Sequence, residues 1–239
     1  MEIDPATLVA TRQALHAVAE HVLMAELHHH AGRIGLRAAP GGFATPLFPT
    51  AAGIERLRVD GTQAVRERDG KEVARAPLST LGAVRRSLGV EVAAPTTVYP
   101  LVTEPDDETV LAVDLGAARL IAAVFAATDT ALASLRAEAA AEDRPRPPGR
   151  RRRDDGSISR AQLWPEHLDL ALTIDEVNYG GSPGDAEHDA PYLYVGPWAR
   201  PLPEGGPWNE PFGASLPADP PPTGIGALAW FRQVRAGLG

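Results

Sequence analysis

The chain has 239 residues, 44% of them apolar, a formal charge of −8 and no cysteine. That length allows one large domain or two small ones, with enough apolar material for a core without disulfides or metal. The lack of cysteine excludes a disulfide scaffold, thiol catalysis, thiolate zinc sites and iron–sulfur ligation, and it suits a reducing cytoplasm.

The start, Met1-Glu2-Ile3-Asp4-Pro5, is acidic, whereas a secretory signal needs a basic region and then an apolar run. The most apolar stretch, 110–135, contains Asp114, Arg119 and Asp129; it is expected to be too interrupted to span a bilayer. Asp4 followed by Pro5 predicts a helix start. Leu8, Thr11, Leu15, Val18, Val22 and Ala25 then recur at three and four as one apolar stripe. Arg12, Gln13, His16, Glu20 and Glu26 fall mostly elsewhere, and Gly32 ends the helix.

From residue 33 the pattern alternates. Strands are expected at 33–37, 43–48, 54–59, 62–68 and 71–75, with turns at Pro40-Gly41-Gly42, Asp60-Gly61 and Asp69-Gly70. Pro46 marks an edge. A short helix is predicted at 78–88, capped by Ser79 or Thr80 and closed by Gly89. A short strand at 111–113 precedes a long helix from the Asp114 cap to about 141, with Leu120, Ile121, Val124, Phe125, Leu132 and Leu135 on its core face. The 143–157 segment reads as a flexible Arg/Pro-rich loop.

Leu168, Leu170, Leu172 and Ile174 alternate with Asp169, Ala171, Thr173 and Asp175, predicting a strand with one apolar face. A second strand at 192–195 is expected to pair with it around the 178–191 loop. A proline-rich wrap, 196–224, leads to a closing helix at 226–238 with Leu228, Trp230, Phe231 and Val234. The fold class is therefore α+β: antiparallel sheet or sheets from β-meanders, packed with an N-terminal, a long central and a C-terminal helix. The chain is read as one domain, 1–239. Whether the 33–75 and 168–195 strands share a sheet stays open.

Functional signal concentrates in 163–198, which holds three of the four tyrosines and two of the seven histidines. Trp164, Tyr179, Ser182, Tyr192, Tyr194 and Trp198 are candidate ligand-binding residues, since aromatics supply stacking area. His167, Asp169 and Asp185 are candidate catalytic groups. If the strand begins near 167, His167 and Asp169 share a face, and an aspartate bonded to a histidine raises its basicity as a general base needs. A loop-rich cap, its aromatics in the core and its acids solvated, accounts for the same residues. Ser182-Pro183-Gly184-Asp185 reads as a type II turn, not a nucleophile elbow. His188 lies where it can approach His167 across the hairpin.

His28, His29 and His30 point in different directions on a helix, so no metal and no cofactor is expected. Of 23 basic residues 22 are arginine, a mark of GC-rich coding that weakens the case for any one of them. Six lie in 144–153 with no acid, leaving −14 on the rest of the chain. A body that acidic repels phosphate backbones, so no nucleic-acid partner is expected. Walker, dinucleotide and zincin motifs are absent.

At 163–171 (Leu-Trp-Pro-Glu-His-Leu-Asp-Leu-Ala), 182–185 (Ser-Pro-Gly-Asp) and 191–198 (Pro-Tyr-Leu-Tyr-Val-Gly-Pro-Trp) the chain resembles an uncharacterised group of GC-rich bacterial proteins. Pro-Gly-Gly-Phe-Ala at 40–44 is similar to the same group. The resemblance covers chiefly the C-terminal third and implies no activity. The reading is then a soluble, cytoplasmic, small-molecule-binding protein. Whether it is an enzyme stays open; the sharper form uses the His167–Asp169 pair as general base. The competing reading is a non-catalytic interaction or structural module, with Trp198, Trp208 and the proline-rich coil as its surface. No membrane partner is expected, and the oligomeric state is not legible.

Overall fold

The computed structural model describes residues 3–142, 158–202, 204 and 206–238; the expected 143–157 loop lies outside them. The fold is α+β. Asp4 caps α1 (Pro5–Val18) by accepting the Thr7 amide at 3.0 Å. A π-helical segment, Ala19–Met24, follows, and then α2 (Ala25–Ala31), which Gly32 closes in the left-handed conformation.

The polar residues off the apolar stripe are not solvated: Arg12, Glu20, His21 and Glu26 are all buried. A buried charge without a partner is costly, so each has one. Glu20 accepts the Val102 and Thr103 amides at 3.0 and 2.8 Å and the Thr103 hydroxyl at 2.5 Å. Glu26 pairs with Arg66, which also reaches Glu55 at 2.7 Å. The helix is thus enclosed on more than its apolar side.

The first sheet comprises β1 (Arg37–Ala39), β2 (Gly42–Ala44), β3 (Phe48–Thr50), β4 (Gly53–Asp60), β5 (Gln63–Arg68) and β6 (Lys71–Pro77). It runs β1-β2-β4-β5-β6, with β3 also paired to β4. The single strand expected at 43–48 is instead two, because Pro46 has no amide to carry a ladder across the gap. α3 (Leu81–Leu88) begins at Thr80, whose hydroxyl accepts the Ala83 amide, and ends at left-handed Gly89. No strand forms at 111–113; Val110 makes an isolated bridge to Thr80.

The second sheet is antiparallel throughout: β7 (Gln162–Trp164), β8 (Asp169–Ile174), β9 (Val177–Ser182), β10 (Tyr192–Pro197) and β11 (Ala214–Pro217), in the order β11-β10-β9-β8-β7. The expected pairing of β8 with 192–195 is corrected, since β9 stands between them. Gly180 and Gly181 disguise β9 as loop, yet both are needed where they are. A Cβ at Gly180 would lie 2.6 Å from the Tyr194 ring, and one at Gly181 would lie 2.3 Å from Thr128 Oγ1. Within the expected proline-rich wrap, Ala214–Pro217 forms β11.

α4 (Leu115–Ala141), capped by Asp114, packs against both sheets, α1 and the closing α5 (Gly224–Ala236). By length and composition alone it could cross a bilayer; here twelve of its residues are buried in the core. The two sheets meet at an antiparallel bridge, Leu36 to Leu163, with hydrogen bonds of 2.8 and 2.9 Å.

Gly181→Ala should destabilise the protein by about 1–3 kcal/mol by pushing α4 off β9. Denaturant unfolding of a double-mutant cycle with Thr128→Ala checks this: the Thr128→Ala background should recover most of the loss, and strict additivity would contradict the contact.

Candidate functional site

A cavity of about 710 Å³ opens on the outer face of the second sheet. Alternation along β10 divides its residues: Leu193 and Val195 enter the core, while Tyr192 and Tyr194 face the cavity. The β9 glycines leave room for the Tyr194 ring to lie across the strand. Its hydroxyl donates to Asp169 Oδ2, and the Tyr192 hydroxyl donates to Asp185 Oδ2. Two tyrosine–aspartate couples therefore stand side by side, with ring centroids 6.1 Å apart. Phe212 closes the cluster at 6.4 Å from Tyr192 and 6.3 Å from Tyr194.

The couples differ in environment. Asp169 is 7% exposed, and its Oδ1 is buried with no hydrogen-bond partner among the described residues. Burial drives its pKa above the usual carboxylate range, against the opposing hydrogen bond from Tyr194. The Tyr194 phenol is raised too, first by burial and then by the charge of Asp169. Asp185 is more open. Burial again acts upward, but the Tyr192 hydroxyl and the Glu187 and His188 amides, both at 2.8 Å, outweigh it and hold the pKa low.

His188 joins this second couple to the turn before β11. Its Nδ1 lies 3.2 Å from Asp185 Oδ1 and its Nε2 lies 3.1 Å from Glu210 Oε1. Burial opposes its charge, but bonds to Glu210 and Asp185 prevail and raise its pKa. His188 is thereby clamped between two acids.

Arg12 positions the loop that carries Asp185. Its guanidinium donates to the carbonyls of Asp185, His188 and Asp189 at 2.8, 3.1 and 3.3 Å. Gly184, at φ +104, is required here, since a Cβ would lie 2.2 Å from Arg12 Nη1. One helical turn on, His16 Nε2 meets the Pro165 carbonyl at 2.6 Å. Burial depresses the His16 pKa, so the neutral ring donates that bond.

The structure brings His167, Asp169, Asp185, Ser182, Tyr192, Tyr194 and Trp198 to one cavity wall. It does not form the expected His167–Asp169 hydrogen bond. His167 has a side chain 69% exposed and lies 4.0 Å from Glu166. The reason is local: Leu168 is left-handed at φ +51 and β8 begins only at Asp169, so strand alternation does not extend back to 167. Asp169 finds a tyrosine two strands away instead. Ser182 Oγ is engaged within its own turn, bonded to the Gly184 carbonyl and amide at 3.0 and 3.1 Å. Tyr179 is 1% exposed on the opposite face, edge-on to Phe231, and so is a core residue. Trp164 lines a different groove. Trp198 stands at the rim, its indole donating to Asn178 at 3.1 Å.

Sequence reasoning missed Arg12, His16 and Phe212 on the cavity wall. The first two carried a signal, an i, i+4 pair on the polar side of α1. Phe212 lay in a glycine-rich coil with no pattern. His30, in the histidine run, lies 3.5 Å from Glu26 and stacks on Phe48. Comparison with family models, curated proteins and solved structures finds no match.

The clamp sets a pH window. A histidine with a raised folded pKa contributes stability that is complete below its unfolded value near 6.5 and lost as pH rises through the folded value. Asp185, lowered, contributes stability above its unfolded value near 3.8 and loses it on acidification. Thermal unfolding should thus show a bonus between about pH 4 and 6.5 that His188→Ala removes. A wild-type and variant difference independent of pH would rule the clamp out.

Proposed function

We propose that the protein binds a small molecule in the cavity beside β10, in a cytoplasmic setting, and that Asp169 with Tyr194 is the acid–base couple presented to it. One observation carries this reading: a largely buried carboxyl group in the cavity wall, with one oxygen on a phenol and the other without a partner among the described residues. A carboxyl whose pKa burial raises is shifted toward its protonated form, the direction a general acid or base requires. Such partly unsatisfied groups cost stability and persist where function needs them. Asp169–Tyr194 replaces the His–Asp pair in this role. The rim aromatics Trp198 and Phe212 supply apolar area around the polar centre, as ligand sites commonly do. The absence of cysteine and the acidic charge support the cytoplasmic setting.

A broad metabolite thermal-shift screen tests the proposal, because a ligand at a hundred times its Kd adds about 2.7 kcal/mol. Tyr194→Phe and Asp169→Asn should fold and should weaken the response. A sign check separates function from structure. Asp169 has a raised folded pKa, so it costs stability above its unfolded value near 3.8. Asp169→Asn removes that cost and should unfold at a higher temperature at pH 7 while losing the ligand shift. Full ligand shifts in both variants would sink the assignment; a stability loss without any ligand would favour a structural module instead.

A further inference from the structure

A second concavity, about 760 Å³, lies at the seam where β1 of the first sheet meets β7 of the second. Its charge is opposite to that of the molecule. Arg33, Arg37 and Arg160 line it, with Asp129 as its sole acid, giving a local balance of +2 on a chain of −8. The guanidiniums are available. Among the described residues that of Arg160 makes no ion pair or hydrogen bond, that of Arg37 has only the longer-range attraction of Asp129 on the same wall, and Arg33 makes one long contact of 3.4 Å to the Leu47 carbonyl. Elsewhere in the first sheet the arginines are engaged with acids, as in Arg56–Glu67, Arg66–Glu55 and Arg68–Glu55. Trp164, 38% exposed, stands on the same wall and offers ring area for stacking.

We propose that this groove binds a small phosphate monoester bearing a planar group, the dianion held by Arg33, Arg37 and Arg160 and the planar group against Trp164. The arginine fork matches phosphate geometry bidentately and is weakly hydrated, so it yields its water readily. The local +2 matches the charge of a phosphate monoester above its second pKa near 6. An isolated carboxylate would leave one positive charge unmatched, and an uncharged aromatic would leave both. This site is separate from the cavity beside β10, and neither proposal depends on the other.

Phenyl phosphate, inorganic phosphate, benzoate and phenol serve as probes in calorimetric titrations at pH 7.5 and low salt. Phenyl phosphate should bind most tightly, inorganic phosphate and benzoate more weakly, and phenol undetectably. Its affinity should fall as salt rises. Arg37→Gln and Arg160→Gln should each cost roughly tenfold, and the pair roughly a hundredfold. Both side chains are exposed and neither makes a hydrogen bond or close ion pair among the described residues, so the melting temperature of the variants should stay near that of wild type. Asp169→Asn, in the other cavity, should leave phenyl phosphate binding unchanged. No binding of phenyl phosphate at millimolar concentration overturns the proposal. So does phenol binding as well as phenyl phosphate, or an affinity that survives both arginine substitutions.

Discussion

A charged side chain taken out of water must find a partner, and three such side chains on one helix organise this molecule. Arg12 grips three carbonyls of the loop after β9. Glu20, one of six buried residues in the π-helical segment, holds the amides at 102 and 103. Glu26 meets Arg66 of β5. Each bond ties the helix to a different part of the chain, at separations of 40 to 177 residues. Removing one partner of a buried ion pair such as Glu26–Arg66 typically costs about 3–5 kcal/mol, because the other charge stays buried. The N-terminal helix therefore acts as a post from which the first sheet, the 90–113 segment and the cavity loop are hung.

The cavity beside β10 follows from that arrangement. Arg12 is the α1 side chain that draws in the carbonyls at 185, 188 and 189, in the loop that presents Asp185 to Tyr192. The two β9 glycines act from the other side. One lets α4 come up beneath the sheet and the other lets a phenol lie across its top. The strand is thin because both faces are occupied by side chains from elsewhere. This is why a Gly-Gly pair, an ordinary mark of a loop, sits in the middle of a five-stranded sheet.

The two tyrosine–aspartate couples show how environment separates identical chemistry. Both pair a phenol with a carboxyl on one face of one sheet. Asp185 has backbone amides and a histidine, which stabilise its charge. Asp169 has a single hydroxyl and an unsatisfied oxygen, and burial favours its neutral form. Hydrogen bonds to the charged form lower a pKa and desolvation raises it, so neighbours, not residue type, set the outcome. The same logic separates the arginines: those facing acids close the first sheet, while Arg37 and Arg160 at the seam have no close acid partner among the described residues.

Local signals in the sequence determined much of the fold. The caps at Asp4, Thr80 and Asp114, the closing glycines at 32 and 89 and the turns at 60–61 and 69–70 each act through bonds or dihedrals within a few residues. The helices and the first meander were legible for that reason, and most residues lining the cavity beside β10 fall within 163–198. What depends on contacts between distant segments was not. β9 is a strand because α4 and Tyr194 close on its glycines, and His167 makes no hydrogen bond to Asp169 because left-handed Leu168 precedes the strand. Tyr179 and Tyr194, equivalent by type, fall on opposite faces of the sheet, one in the core and one on the cavity. Only the tertiary structure could supply the partner of Asp169, because that partner lies 25 residues away on a strand two positions across.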